Sequence, residues 1–269
     1  MDVKGLVALA DITHGRMLRR TAFQDFVTYA ALFISNKFDP VHLAQRTEAM
    51  KGLLRDYTSQ EQAQFSAGLH EFVCQCQENV VHGRYKDLLG MAYFELGLGG
   101  RNGQDFSPPD IGEIVARLSI PASLGDSALP EQGFFTIMDP ACGSGMLSLS
   151  AAEHMAFRGY NLCQHLVIQA NDTALCCAHM SYVQLSCHGI PAVVIHGNTL
   201  TLEEHSRWYT PAYILGNWVW RCPLPFAPGR NLSDEWLKMA QDPMYMAIRR
   251  ITWPELFPSV KKECETMEA

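Results

Sequence analysis

The chain has 269 residues, is 48% hydrophobic and 18% charged, and carries a net charge of −7 at pH 7. That length can bury a sizeable core, either as one compact α/β domain or as a small helical domain joined to an α/β one. The acidic balance excludes a protein that grips nucleic acid by bulk charge alone, because phosphate neutralisation dominates such binding, and no run approaches the roughly 20 apolar residues of a membrane span.

The opening "MDVKGLVALADITHGRMLRR" has too short an apolar stretch for a secretory signal. Residues 16–98 read as helices. Phe23, Phe26, Val27, Ala30, Ala31 and Phe33/Ile34 fall at three-to-four spacing, which makes one apolar face. Asp39-Pro40 is expected to open a second helix, with Pro at its first position and Leu43, Met50, Leu53 and Leu54 on its apolar face. A third begins at Ser59 and carries Phe65, Leu69, Phe72 and Val73. "KDLLGMAYFELGL" forms a fourth and stops at Gly97, Gly99 and Gly100. A loop punctuated by Gly and Pro then leads into a helix for which Ser107 serves as cap and Pro108 and Pro109 precede or start the first turn.

From Phe134 the period changes. "FFTIMD" reads as a strand, followed by a glycine turn and a helix to about Arg158. "HLVIQAND" is a second strand, with "TALCCAHMSYVQLSCHG" as its helix. "AVVIHGNTL" is a third, and "AYILGNWVW" is taken as a fourth. Strands alternating with helices imply parallel βαβ units. The expected organisation is a helical region over residues 1–100 and an α/β domain over residues 101–269. The nine cysteines are scattered or sit in helical runs, which suits free thiols in a reducing cytoplasm. Cys74, Cys76 and Cys222 lack the paired spacing of a tetrahedral zinc site, so no metal is expected.

Ligands of open parallel sheets bind outside the carboxyl ends of the strands. Asp139 stands at the first such end. Gly143 and Gly145 have no Cβ and let the backbone approach a ligand, and the helix that follows offers unpaired amides. Such a turn can also serve packing alone. Asp172 ends the second strand, where a carboxylate can accept hydrogen bonds from two ribose hydroxyls or cap the next helix. Asn198 ends the third, where an amide can address a purine edge. Together the three ends make a nucleoside-shaped site.

Asp139-Pro140-Ala141-Cys142-Gly143-Ser144-Gly145-Met146 resembles the "DPACGSG" S-adenosylmethionine loop of amino-DNA methyltransferases, above all the adenine-N6 group that includes type I restriction modification subunits. Residues 103–111, "GQDFSPPDI", resemble the "GQFFTP" segment that precedes the loop in that group, and "HGRYKDLLGMAYFELGL" resembles its helical lead-in. The resemblance spans roughly residues 80–220. It implies a Rossmann-like methyltransferase sheet behind a helical N-terminal region, with S-adenosylmethionine as cofactor. It implies that Asp139, Cys142 and Gly143 line the methionine portion, within the loop that Pro140, Ala141, Ser144 and Gly145 complete. Phe106, Ser107 and Pro108 would cover it, Asp172 would hold the ribose and Asn198 would sit near the adenine.

Active members of that group carry Asn or Asp, two prolines and an aromatic residue after the fourth strand. The amide and a backbone carbonyl accept hydrogen bonds from the target amino group, and the aromatic ring stacks on the extruded base. Here the equivalent stretch reads Leu215-Gly216-Asn217-Trp218-Val219-Trp220. The resemblance points to Asn217 as the acceptor and Trp218 or Trp220 as the stacking platform, although both prolines are missing. Pro223 and Pro225 come too late to be the same turn. The 52 residues after Asn217 also fall short of what the usual sheet needs to be completed. Three readings follow. One is an adenine-N6 DNA methyltransferase of a restriction-modification type, gripping DNA with the help of a specificity partner. Another is a non-catalytic homologue that acts as a decoy or regulatory subunit. The third is a methyltransferase for a non-DNA amide, since the same device serves protein glutamine in related enzymes.

Overall fold

The structure is a computed structural model that describes residues 2–99, 109–120 and 129–222. The helical region begins with α1 (Val3–Ala8) and a 3₁₀ turn, then α2 (Arg19–Phe38), α3 (Leu43–Leu54), α4 (Ser59–Val81) and α5 (Leu88–Glu95). The three-to-four spacing of α2 is a packing stripe, with Phe23, Phe26, Val27, Ala30, Ala31 and Ile34 all buried. A capping box starts α4, Thr58 and Glu61 each satisfying the other's backbone amide. Two local expectations change. The helix after Asp39 starts three residues later than the sequence suggests, at Leu43, because Asp39 binds the His42 amide and holds Pro40 in a turn. Met50, Leu53 and Leu54 on α3 are only half-buried, and its buried residue is Arg46.

After α6 (Pro109–Ser119) the chain alternates as expected: β1 (Phe135–Asp139), α7 (Met146–Phe157), the short α8 (Leu162–His165), β2 (Leu166–Asp172), α9 (Leu175–Cys187) and β3 (Ala192–Asn198). The three strands are parallel, with Asp139 opposite Ala170 and Asp172 opposite His196. Their carboxyl ends therefore share one edge of the sheet. From Cys177 to Cys187 every residue of α9 is buried, because α9 lies between the sheet and α2.

The fourth strand is not where the sequence places it. It is β4 (Glu203–Tyr209), antiparallel to β3, so it starts at the carboxyl edge opposite Asn198 and ends at the amino edge opposite Val193. "AYILGNWVW" is instead helical, forming α10 (Pro211–Leu215) and α11 (Trp218–Arg221). Thr210 caps α10 by accepting from the Tyr213 amide, and Pro211 occupies its first turn. These helix-start signals outweigh the strand-like apolar run.

The helical region and the sheet share one hydrophobic core. Buried Arg46 also links them. It donates to Ser35 and to Asp39 (2.6 Å), stacks over the Trp208 ring 4.0 Å from its centre, and donates to the Arg207 carbonyl of β4 at 2.5 Å. Among the described residues no helix is long and apolar enough to cross a membrane.

Candidate cofactor site

The turn after β1 takes its shape from its two glycines. Gly143 (φ +54°) and Gly145 (φ +96°) both occupy the left-handed region that disfavours side chains. A Cβ on Gly145 would lie 2.9 Å from the Ser181 hydroxyl and 3.2 Å from its Cα, so glycine also lets the turn rest on α9. The Cys142 amide donates to the Asn171 carbonyl (2.8 Å) and fastens the turn to β2. Cys142 itself is buried, and burial, reinforced by the charges of Asp172 and Asp139, pushes its thiol well above the ordinary range. It is a neutral filler of the turn rather than a nucleophile.

Two carboxylates flank this turn. Asp172 accepts from the Gly143 amide through Oδ2 and from the Ala174 amide through Oδ1, both at 2.8 Å. Asp139 accepts from the Ala141 amide through Oδ1 (3.3 Å), while its Oδ2 is buried with no hydrogen-bond partner. Burial raises the Asp139 carboxyl above its usual range and the charge of Asp172 adds to the rise, against the Ala141 bond. An orphaned, buried carboxylate oxygen is costly unless a ligand satisfies it. The pair is arranged to receive a cation or hydroxyl donors.

The end of β3 closes the site on the other side. The Thr199 hydroxyl donates to the Pro140 carbonyl at 2.7 Å, tying β3 to the glycine turn. Asn198 Oδ1 accepts from the Leu200 and Thr201 amides, so its oxygen belongs to a local turn and its Nδ2 is the group left to meet a ligand. A cleft lined by Met138, Asn171, Ile195, Asn198 and Leu202 adjoins these ends. The structure thus brings Asp139, Pro140, Ala141, Cys142, Gly143, Ser144, Gly145, Asp172 and Asn198 together. Phe106, Ser107 and Pro108 lie outside the described residues.

Asn217 and Trp218 are not brought to this edge. Asn217 caps α11 in the left-handed region (φ +52°). Trp218 is fully buried, donates to the Cys163 carbonyl (3.1 Å) and packs edge-on against Phe134. Arg221 donates to the Gln164 carbonyl. Cys163 and Gln164 precede β2 and Phe134 precedes β1, so this cluster sits at the amino edge, the far end of the sheet from Asp139 and Asp172. The cause is β4, whose antiparallel course carries the chain away from the strand ends before α10 begins.

Two residues that touch the loop carried no motif signal of their own. Asp87, at the start of α5, accepts from the Ser144 hydroxyl (2.5 Å), the Gly90 amide (2.8 Å) and Gln184 (2.7 Å). Gln184, fully buried on α9, also donates to the Ser144 carbonyl at 2.8 Å. In the sequence Asp87 lies within the lead-in stretch "HGRYKDLLGMAYFELGL" and by itself reads as an acid ahead of an apolar helix, the ordinary sign of a cap.

A family model described as N-6 DNA Methylase matches residues 84–240, more than half of the chain. No curated protein matches. Among solved structures, the chain is similar to a protein from Listeria monocytogenes described as a class I S-adenosylmethionine-dependent methyltransferase, at 15% identity. The match covers 91% of this chain and 76% of that one, with a TM-score of 0.42. It is also similar to the methyltransferase subunit of a type I restriction-modification system from Streptococcus thermophilus, at 13% identity. Here the match covers 70% of this chain and 56% of that one, with a TM-score of 0.33.

Proposed function

The chain belongs to the N-6 DNA methylase family, and from that premise we propose that it binds S-adenosylmethionine across the carboxyl ends of β1, β2 and β3. The observation that carries this reading is the buried, unpartnered Oδ2 of Asp139 beside the glycine turn. A cationic cofactor suits it, since Asp139 and Asp172 supply two negative groups and the described part of the turn supplies no basic side chain. Asp172 already accepts two backbone amides, yet a carboxylate has about four acceptor sites, so it can also take ribose hydroxyls. Asn198 offers Nδ2 to the adenine. Gly143 and Gly145 leave room for the methionine portion.

When bound, S-adenosylmethionine supplies an electrophilic methyl group. The chain's own residues orient the cofactor and, on the first reading, the methyl goes to adenine N6 in DNA. A net charge of −7 makes a DNA-binding or specificity partner part of that reading. A second reading, a cofactor-binding regulatory homologue without methyl transfer, is favoured by one observation. Asn217 and Trp218 lie at the amino edge, where they cannot reach a methyl group held at the strand ends.

Titration calorimetry with S-adenosylmethionine and its demethylated product tests the site. We expect binding in the micromolar range, weakened at least tenfold by Asp172→Ala, a change of about 1.4 kcal/mol. Absence of heat for both ligands at about 1 mM, where even a weak complex of about −4 kcal/mol registers, overturns the reading. Labelled methyl recovered on adenine after incubation with mixed DNA supports the first reading. Binding without transfer, in Asn217→Ala and the parent alike, supports the second.

A further inference from the structure

Resting on the cofactor reading, we infer that Asp87, a residue of the helical region, is a positioning residue for the glycine turn, acting through Ser144 and Gln184. A helix cap needs one acceptor oxygen, and Asp87 Oδ1 meets that need by accepting from the Gly90 amide. The second oxygen, Oδ2, goes instead to the Ser144 hydroxyl. Gln184 Nε2 bridges Asp87 Oδ1 and the Ser144 carbonyl, while its Oε1 accepts from the Leu89 amide at 3.1 Å. Ser144 is therefore held at both its hydroxyl and its carbonyl by one Asp–Gln pair.

The location gives this grip its consequence. Ser144 is flanked by Gly143 and Gly145, both with positive φ and neither with a side chain by which the turn could be held. It is the one side-chain handle in Gly-Ser-Gly, and it is fully buried. Fixing its carbonyl fixes the Ser144–Gly145 peptide, whose amide donates to the Cys142 carbonyl at 2.8 Å and so closes the turn beside the Gly143 amide that donates to Asp172. Gly90 shows the same demand from the other side. A Cβ there would collide with the Asp87 carboxyl and the Ser144 hydroxyl together. The three hydrogen-bonding side chains leave no donor of Gln184 Nε2 unused, and such closed networks act as a unit. The helical region thus contributes to the cofactor site through its hold on Ser144.

The test is a double-mutant cycle on the full chain with Asp87→Asn, Ser144→Ala and the pair, read by calorimetry with S-adenosylmethionine and by the amide resonances of Gly143 and Gly145 without ligand. Asn keeps the volume of Asp87 and one oxygen for Gly90 and Gln184, but presents an amide donor to the Ser144 hydroxyl. We expect Asp87→Asn to weaken binding tenfold or more, to shift both glycine resonances, and to leave the unliganded melting temperature nearly unchanged. The double variant binds no more weakly than Ser144→Ala, since Asp87 acts through that hydroxyl. Binding by Asp87→Asn within twofold of the parent overturns the inference, as do losses that simply add. If the parent itself binds nothing, the cofactor reading fails, and the resonances alone decide this one: unmoved Gly143 and Gly145 in Asp87→Asn overturn it. Should Asp87→Asn fail to fold, Gly90→Ala pushes the carboxyl off Ser144 without removing it, and the same outcomes apply.

Discussion

Asp139 is a costly residue in the unliganded chain. Its carboxyl is raised by burial and then by the neighbouring charge of Asp172, with one oxygen unpartnered. A carboxyl raised in the folded state makes ionisation oppose folding. The penalty grows as pH climbs from the unfolded value of roughly 3.9 and is complete once pH exceeds the raised folded value. Asp139→Asn keeps an oxygen for the Ala141 amide and removes the penalty. The melting temperature of the unliganded variant should therefore be equal to or above that of the parent, while its affinity for S-adenosylmethionine falls at least tenfold. In the parent that affinity should rise with pH as Asp139 ionises, and in the variant this rise should be lost. Scanning calorimetry and titrations across acidic to neutral pH read both. A less stable variant with undiminished affinity would make Asp139 structural. Asp139, Asp172 and Asn198 were legible in the sequence because a strand period fixes where each strand ends, and a polar residue at such an end is visible locally. Asp87 and Arg46 were not. Asp87 meets Ser144 across 57 residues, and Arg46 meets the Arg207 carbonyl across 161. No local pattern encodes those meetings.

The elements follow the same division. β1, β2, β3 and their helices were readable from the switch between alternating and three-to-four spacing. β4 was hidden because it pairs antiparallel with β3 and its first residues, Glu203 to Ser206, are polar and partly exposed. The apolar, aromatic run that looked like a strand is two short helices that close the amino edge. Thr210 directs that switch. Its fully buried hydroxyl donates to the Ile190 carbonyl and accepts from the Ala192 and Tyr213 amides, so it joins the start of β3 to the cap of α10. Thr210→Val keeps the shape and strands two backbone groups, the Ala192 amide and the Ile190 carbonyl, while the Tyr213 amide keeps the Thr210 carbonyl at 3.0 Å. Urea unfolding should show a loss of roughly 1–3 kcal/mol. A change below about 0.5 kcal/mol, the scatter of a neutral surface substitution, would mean that packing alone sets the helix start.

At the scale of the whole molecule, the helical region and the sheet are joined through one core, through Arg46 at the β4 edge and through Asp87 at the glycine turn. That arrangement places all the acidic strand-end groups on one edge and the buried tryptophan cluster on the other. The sequence resemblance assumed that Asn217 would follow a parallel strand to the ligand edge, and the antiparallel course of β4 is the physical reason it does not. The most direct measurement is therefore a residue-resolved one: amide resonances of the full chain followed as S-adenosylmethionine is added. The predicted result is movement at Gly143, Ser144, Gly145, Asp172 and Asn198, with Asn217 and Trp218 left in place. Movement centred on Asn217 and Trp218, or none at a ligand concentration of about 1 mM, would contradict the account.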